Sequence, residues 1–238
     1  MVWMKRRVLP LIIPHADGVG AVEDPPFPVV AIAASAGGLP ALQTVLRAFP
    51  DGLPAAIVIV QHRSPVHGDR LTPILQRSSR LPIKIAQEGE TLRAGTVYLA
   101  PADRHVVISA ERSLGFRNGK RISFVLSAAD PLFESLARNV GKRAIAVVLT
   151  GSGRNGAAGV RFVKDAGGTV LAQDAATCEH FAMPSAAIAT GAVDQVLPIE
   201  EIGPTIVGLI TEPASTPERP RPARGPFRPR PPSREPRP

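Results

Sequence analysis

Residues 28–34, Pro-Val-Val-Ala-Ile-Ala-Ala, form a short run without a polar position, the pattern of a strand covered on both faces. Residues 39–49 follow with apolar positions at helical spacing. The alternation then repeats. Residues 56–61 read as a second buried strand, with a helical pattern around 69–76. Short β segments at 82–86, 96–100, 105–109 and 122–125 are separated by turn residues. A helix at 131–139 leads to a strand at 143–150, a helix at 156–166, a strand at 169–173, an Ala-rich helix near 184–189 and a final helix from Ile199. Strands alternating with helices at both ends predict an α/β fold of Rossmann-like type, doubly wound around a mainly parallel sheet. The closely spaced β segments from 96 to 125 predict an antiparallel β-hairpin insertion.

The ends of the chain lack this periodicity. Residues 1–27 read as a flexible leader, 28–210 as one domain and 211–238 as a disordered tail rich in Pro and Arg. Within the leader, Lys5-Arg6-Arg7 precedes a short apolar run. That run contains Pro10 and lacks a small-x-small cleavage site, so a secretory signal is not expected. At 238 residues the chain suits one sizeable core, and with aromatics at 4% that core must be aliphatic. The formal charge of +8 raises the question of nucleic acid. However, the tail holds 7 Arg against 3 Glu, half of that excess, so the body is only mildly basic and nucleic acid need not be invoked. A single cysteine, Cys178, excludes an internal disulfide framework and a Cys-rich zinc site and suits a reducing cytoplasm. No apolar run reaches the length of a membrane span.

In an open parallel sheet, ligands bind outside the carboxyl ends of the strands, so the residues just after each strand carry the candidate chemistry. Ser35-Ala36-Gly37-Gly38 follows the first strand, His62 the second, and Gly151-Ser152-Gly153-Arg154-Asn155-Gly156 the strand ending at Thr150. Ser35 suits either a helix N-cap or a nucleophile at a helix start, and His62 either a satisfied hydrogen-bonding residue or a base. On neighbouring strands of one sheet the two lie on the same edge. A serine nucleophile needs a base, a group that orients the base, and N–H donors for the oxyanion, and the Gly-rich loop is the natural source of the third group. The same loop also spells G-x-G-x-x-G through Gly151, Gly153 and Gly156, with Asp174 at the end of the next strand. That is the pattern of a dinucleotide-binding turn, so an oxidoreductase stays open at this level. The loop at 33–38 lacks the Gly-Lys-Ser/Thr ending of a P-loop. His105 and His180 read as structural and His67 as solvated, and no spacing of His and acids suggests a metal.

Taken together, Ala33-Ala34-Ser35-Ala36-Gly37-Gly38, Val60-Gln61-His62, Gly95-Thr96-Val97-Tyr98-Leu99-Ala100-Pro101, Ala129-Asp130-Pro131-Leu132-Phe133, the loop from Leu149 to Gly159 and Phe181-Ala182-Met183-Pro184 resemble the catalytic domain of CheB-type protein-glutamate methylesterases. The likeness covers about residues 28 to 208, with the motifs in the same order, and it displaces the dinucleotide reading. It implies hydrolysis of glutamate methyl esters on the cytoplasmic helices of chemoreceptors or related signalling proteins, with release of methanol, and often deamidation of receptor glutamines. It implies no cofactor and no metal. The resemblance places the nucleophile on Ser35, the base on His62 and an oxyanion-hole amide on the backbone N–H of Ser152, where Met is usual.

The third triad position falls on Asn155, where the family has Asp. An amide accepts a hydrogen bond from the imidazole but brings no charge and can favour the wrong tautomer. The corresponding change in serine proteases lowers turnover on the order of 10⁴-fold, so slow ester hydrolysis is expected. Asn155-Gly156 is also a step prone to succinimide formation, which would install a carboxylate. Chemotaxis methylesterases usually carry an N-terminal receiver domain, and the stretch before the first strand is too short for one. The expectation is a stand-alone hydrolase without phosphorylation control in cis. A catalytically weakened scaffold homologue is the alternative, and the Arg-rich tail is expected to attract acidic signalling surfaces.

Overall fold

The structure, a computed structural model, describes residues 27–63, 69–117 and 127–211. Its centre is β1 (Val29–Ala34), buried along its whole length. It lies parallel to β2 (Ala56–Gln61) on one side and to β7 (Ala144–Val148) on the other. From β2 the sheet continues outward through β4 (Val97–Leu99) to β3 (Ile83–Ile85). From β7 it continues through β8 (Thr169–Gln173) to β9 (Gln195–Leu197). All seven strands are parallel, in the order β3-β4-β2-β1-β7-β8-β9. The chain moves outward in one direction after β1 and in the opposite direction after β7. The crevice beyond the carboxyl ends of these two neighbours is therefore the topological switch point, where open α/β sheets bind their ligands.

Alternation along β1 divides the core in two. Val29, Ala31 and Ala33 face a cluster with Leu132 and Phe133 of α3 (Ala129–Val140), Val160 and Val163 of α4 (Gly159–Asp165) and Met183 and Ala187 of α5 (Ala182–Ile188). Val30, Ile32 and Ala34 face the other way, onto Leu42, Val45 and Leu46 of α1 (Gly38–Arg47), Leu75 of α2 (Leu71–Gln76) and Ile202 and Ile206 of α6 (Ile199–Thr211). Coverage on both faces explains why the strands read as continuous apolar runs. As the scarcity of aromatics requires, Val, Ile, Leu and Ala make up most of both clusters.

The hairpin insertion is present but shorter than the sequence suggests. It consists of β5 (His105–Ile108) and β6 (Leu114–Arg117), antiparallel and separate from the main sheet. The Ile108 N–H donates to Ser135 Oγ at 3.0 Å and Asn139 Nδ2 donates to the Ile108 carbonyl at 2.8 Å, which fixes the hairpin on α3. The segment at 96–100 belongs instead to the parallel sheet, because Val97, Tyr98 and Leu99 are buried on both faces between β2 and β3. Two strands escape the sequence pattern, β6 and the edge strand β9. The expected strand at 122–125, His67, and nearly all of the leader and tail lie outside the described residues. Among the described residues no helix is long and apolar enough to cross a membrane.

Candidate active site

Ser35 and His62 emerge from β1 and β2 at the switch point, and backbone bonds extend the sheet by one step beyond each strand. The Ser35 N–H donates to the Thr150 carbonyl at 3.0 Å and the His62 N–H donates to the Ala34 carbonyl at 3.0 Å. The first of these ties the Ser35 turn to the loop after β7. The two turns are also tied to each other by Gln61, the last residue of β2. Its Nε2 donates to the Ser35 carbonyl at 2.8 Å and to the His62 carbonyl at 3.1 Å. Gly38 makes room for this side chain, since a Cβ there would lie 2.2 Å from Gln61 Oε1.

Neither bland alternative for these two residues is realised. The N-cap of α1 is Gly37, at φ 73°, and no side chain caps the helix, so the Ser35 hydroxyl is not a capping group. His62 Nε2 is buried and has no hydrogen-bond partner among the described residues. A buried unpaired ring nitrogen is costly to maintain and marks a site where function outweighs satisfaction. Burial pulls the His62 pKa below its ordinary value, and the nearby charge of Asp130 offsets part of that. The imidazole is thus neutral at neutral pH, the form a general base requires.

The loop after β7 is held from three directions. The Thr150 N–H donates to Gln173 Oε1 at 2.8 Å, the Gly151 N–H donates to the His180 carbonyl at 2.8 Å, and the Met183 N–H at the start of α5 donates to the Gly151 carbonyl at 2.9 Å. Gly151 lies so close to the Ser35 turn that a Cβ there would fall 2.7 Å from Ser35 Cβ and 2.3 Å from Met183 Sδ. Ser152 is exposed next to it, and among the described residues its N–H has no acceptor, as an oxyanion donor requires.

Asn155 is 2% exposed. Its Oδ1 accepts the Ala129 N–H at 2.7 Å, at the first residue of α3, and its Nδ2 is buried without a partner among the described residues. A backbone N–H can only donate, so this bond fixes which end of the amide is oxygen. The free end of Asn155 is a hydrogen-bond donor. One residue further on in α3, Asp130 Oδ1 accepts the Gly159 N–H at 2.8 Å, which joins α3 to α4.

The remaining candidates have structural surroundings. His105 is buried and its Nδ1 accepts the Ala128 N–H at 3.1 Å. His180 is half exposed beside Glu179, with Nε2 and Oε1 3.4 Å apart. Asp174, the acid of the dinucleotide pattern, accepts both the N–H and the hydroxyl of Thr177. Burial and the neighbouring Asp174 carboxylate push the Cys178 thiol up to about 11. Among the described residues no group of three or more His, Cys, Asp or Glu is placed to hold a metal ion. Sequence reasoning missed the role of Gln61. The available signal was a polar side chain ending an otherwise apolar buried strand, immediately before a candidate base.

Comparison with known proteins identifies related chains. The CheB methylesterase family model matches residues 30–206. A protein-glutamate methylesterase/protein-glutamine glutaminase of Anaeromyxobacter dehalogenans is 45% identical over 174 residues, 73% of this chain and 51% of the relative. One from Pyrococcus horikoshii is 41% identical over 181 residues, 75% of this chain and 49% of the relative. The chain thus spans about half the length of the curated relatives it matches. The crystal structure of the Thermotoga maritima CheB methylesterase catalytic domain superposes with a TM-score of 0.75 at 35% identity, covering 77% of this chain and 99% of that one.

Proposed function

Since the chain belongs to the CheB methylesterase family, we propose that it hydrolyses glutamate γ-methyl esters on proteins, with Ser35, His62, Ser152 and Asn155 as its machinery. The unpartnered, buried His62 Nε2 beside a serine turn is the observation that carries this reading. Ser35 Oγ attacks the ester carbonyl carbon while its proton passes to the neutral imidazole. The tetrahedral oxyanion is met by the Ser152 N–H. Collapse expels methoxide, which takes the proton from the imidazolium and leaves as methanol. Water, deprotonated by His62, then attacks the acyl-enzyme and releases the glutamate carboxylate and Ser35.

The substrates proposed are methylated helices of chemoreceptors or related signalling proteins in the cytoplasm. Glutamine side chains are a second substrate by the same route, with ammonia in place of methanol, as the relatives' names suggest. Neither route calls on a metal or a cofactor.

One observation favours a weaker enzyme. In its observed orientation the Asn155 amide holds Ala129 with its oxygen, so its free end offers a donor where a triad carboxylate would offer an acceptor. A donor there favours the imidazole tautomer that cannot take the Ser35 proton. Methanol release from a methylated receptor, compared for wild type, Ser35→Ala and Asn155→Asp, tests the proposal. The expected results are slow release, none, and faster release. Normal receptor binding with no release by any of the three would point to a scaffold.

A further inference from the structure

Resting on the proposed esterase reading, we infer that the groove between α4 and α5 is the docking surface for an acidic helix of the protein substrate. The groove has a volume of about 530 Å³. Arg154, next to Asn155, forms its near end, and Arg161 in the first turn of α4 stands further along. Its floor is made of small residues, with Ala158 on one side and Ala186 and Ala189 on the other. A floor of methyl groups lets a helix backbone approach closely, and an amphipathic helix seats its apolar face in such a groove.

Charge selects among possible helices. Among the described residues neither Arg154 nor Arg161 forms an ion pair, and both are exposed. Asp130, the one acid lining the groove, has Oδ1 on the Gly159 N–H. Two unpaired guanidinium groups against one committed carboxylate leave the groove cationic, complementary to a helix carrying Glu. The α5 wall of the groove is also packed onto the proposed site, because Met183 of α5 lies against Gly151 and Gly151 against Ser35. A helix seated there sets its acidic flank on Arg154 and Arg161, and Arg154 adjoins Asn155 of the proposed site.

The test uses a Glu-rich helical peptide bearing one γ-methyl-glutamate and, as a control, the γ-methyl ester of N-acetylglutamate methylamide. Arg161→Glu and the groove-filling Ala189→Leu should each raise KM for the peptide at least tenfold, while kcat/KM for the small ester stays within twofold. Arg161→Lys should retain peptide recognition. Anisotropy of the labelled peptide with norleucine in place of the methyl-glutamate reads docking without turnover, so a chain that hydrolyses neither ester refutes the esterase alone. Peptide affinity within twofold of wild type in both Arg161→Glu and Ala189→Leu overturns the inference. So does tighter, Arg161-dependent binding of a 20-nucleotide single-stranded DNA.

Discussion

Asn155 Oδ1 accepts the Ala129 N–H at 2.7 Å, so the side chain proposed for the third triad position also caps α3. The helix has Ala128 at its own N-cap and no local side chain to serve there. In Asn155→Asp, one carboxylate oxygen keeps the Ala129 bond and the other becomes a charged acceptor, which the α3 N-terminus also favours. Methylesterase turnover should rise at least tenfold, measured as methanol release at saturating substrate. An unchanged rate would mean that Asn155 does not face the base.

Replacing the same residue by Ala should destabilise the fold. The buried Ala129 N–H loses its acceptor, a loss of about 1–2 kcal/mol by analogy with deleted caps. Urea unfolding of Asn155→Ala and Asn155→Asp separates the two roles, since only the first should lose stability.

The Asn155-Gly156 step should resist ageing despite its sequence. Succinimide formation needs the amide carbon to swing onto the following nitrogen, whereas here the side chain is 2% exposed and its oxygen is held by Ala129. Peptide mass spectrometry of material stored at neutral pH should show no +1 Da species at this step. A +1 Da fraction growing in step with activity would show that the bond does not hold.

Activity should persist on the acid side of the usual histidine range. Burial lowers the His62 pKa, so the base stays neutral as pH falls through 6.5 and is lost only below it. Asp130→Asn removes the charge that opposes this shift and keeps an oxygen for the Gly159 N–H, so the acid limb of kcat should move to still lower pH. An acid limb above 6.5 would contradict the buried environment. Stability follows the same sign. As pH falls below 6.5 the unfolded chain binds this proton before the folded one does, so the His62 contribution to folding stability decreases.

Cys178 should be inert. With its thiol pushed up to about 11, the thiolate population at neutral pH is minute. Alkylation by iodoacetamide at pH 7.5 should run far slower than with free cysteine, and Cys178→Ser should leave turnover unchanged.

Much of the fold was legible in the sequence because the central strands are covered on both faces. β1, β2 and β7 are uninterrupted apolar runs and could be read at sight. β9 was not legible: it is a three-residue edge strand with Gln195 and Val196 exposed, so burial leaves no pattern in it. The segment at 96–100 reads as a strand from its own residues, but its pairing with β2 and β3 does not, because strand pairing is a long-range property that its own residues do not encode. The same limit applies at the site. The positions of Ser35 and His62 follow from strand ends. That Asn155 caps a helix that begins 26 residues earlier in the chain depends on the tertiary fold.

The Gln61 amide, which donates to the carbonyls of both Ser35 and His62, has a consequence in time as well as in space. Two turns fastened to one side chain cannot open separately while it stays in place. The Gly38 amide proton, bonded to the Ser35 carbonyl, and the His62 amide proton, bonded across to the Ala34 carbonyl, should therefore exchange with solvent as one cooperative unit, and Gln61→Ala should weaken that coupling so that the two rates diverge.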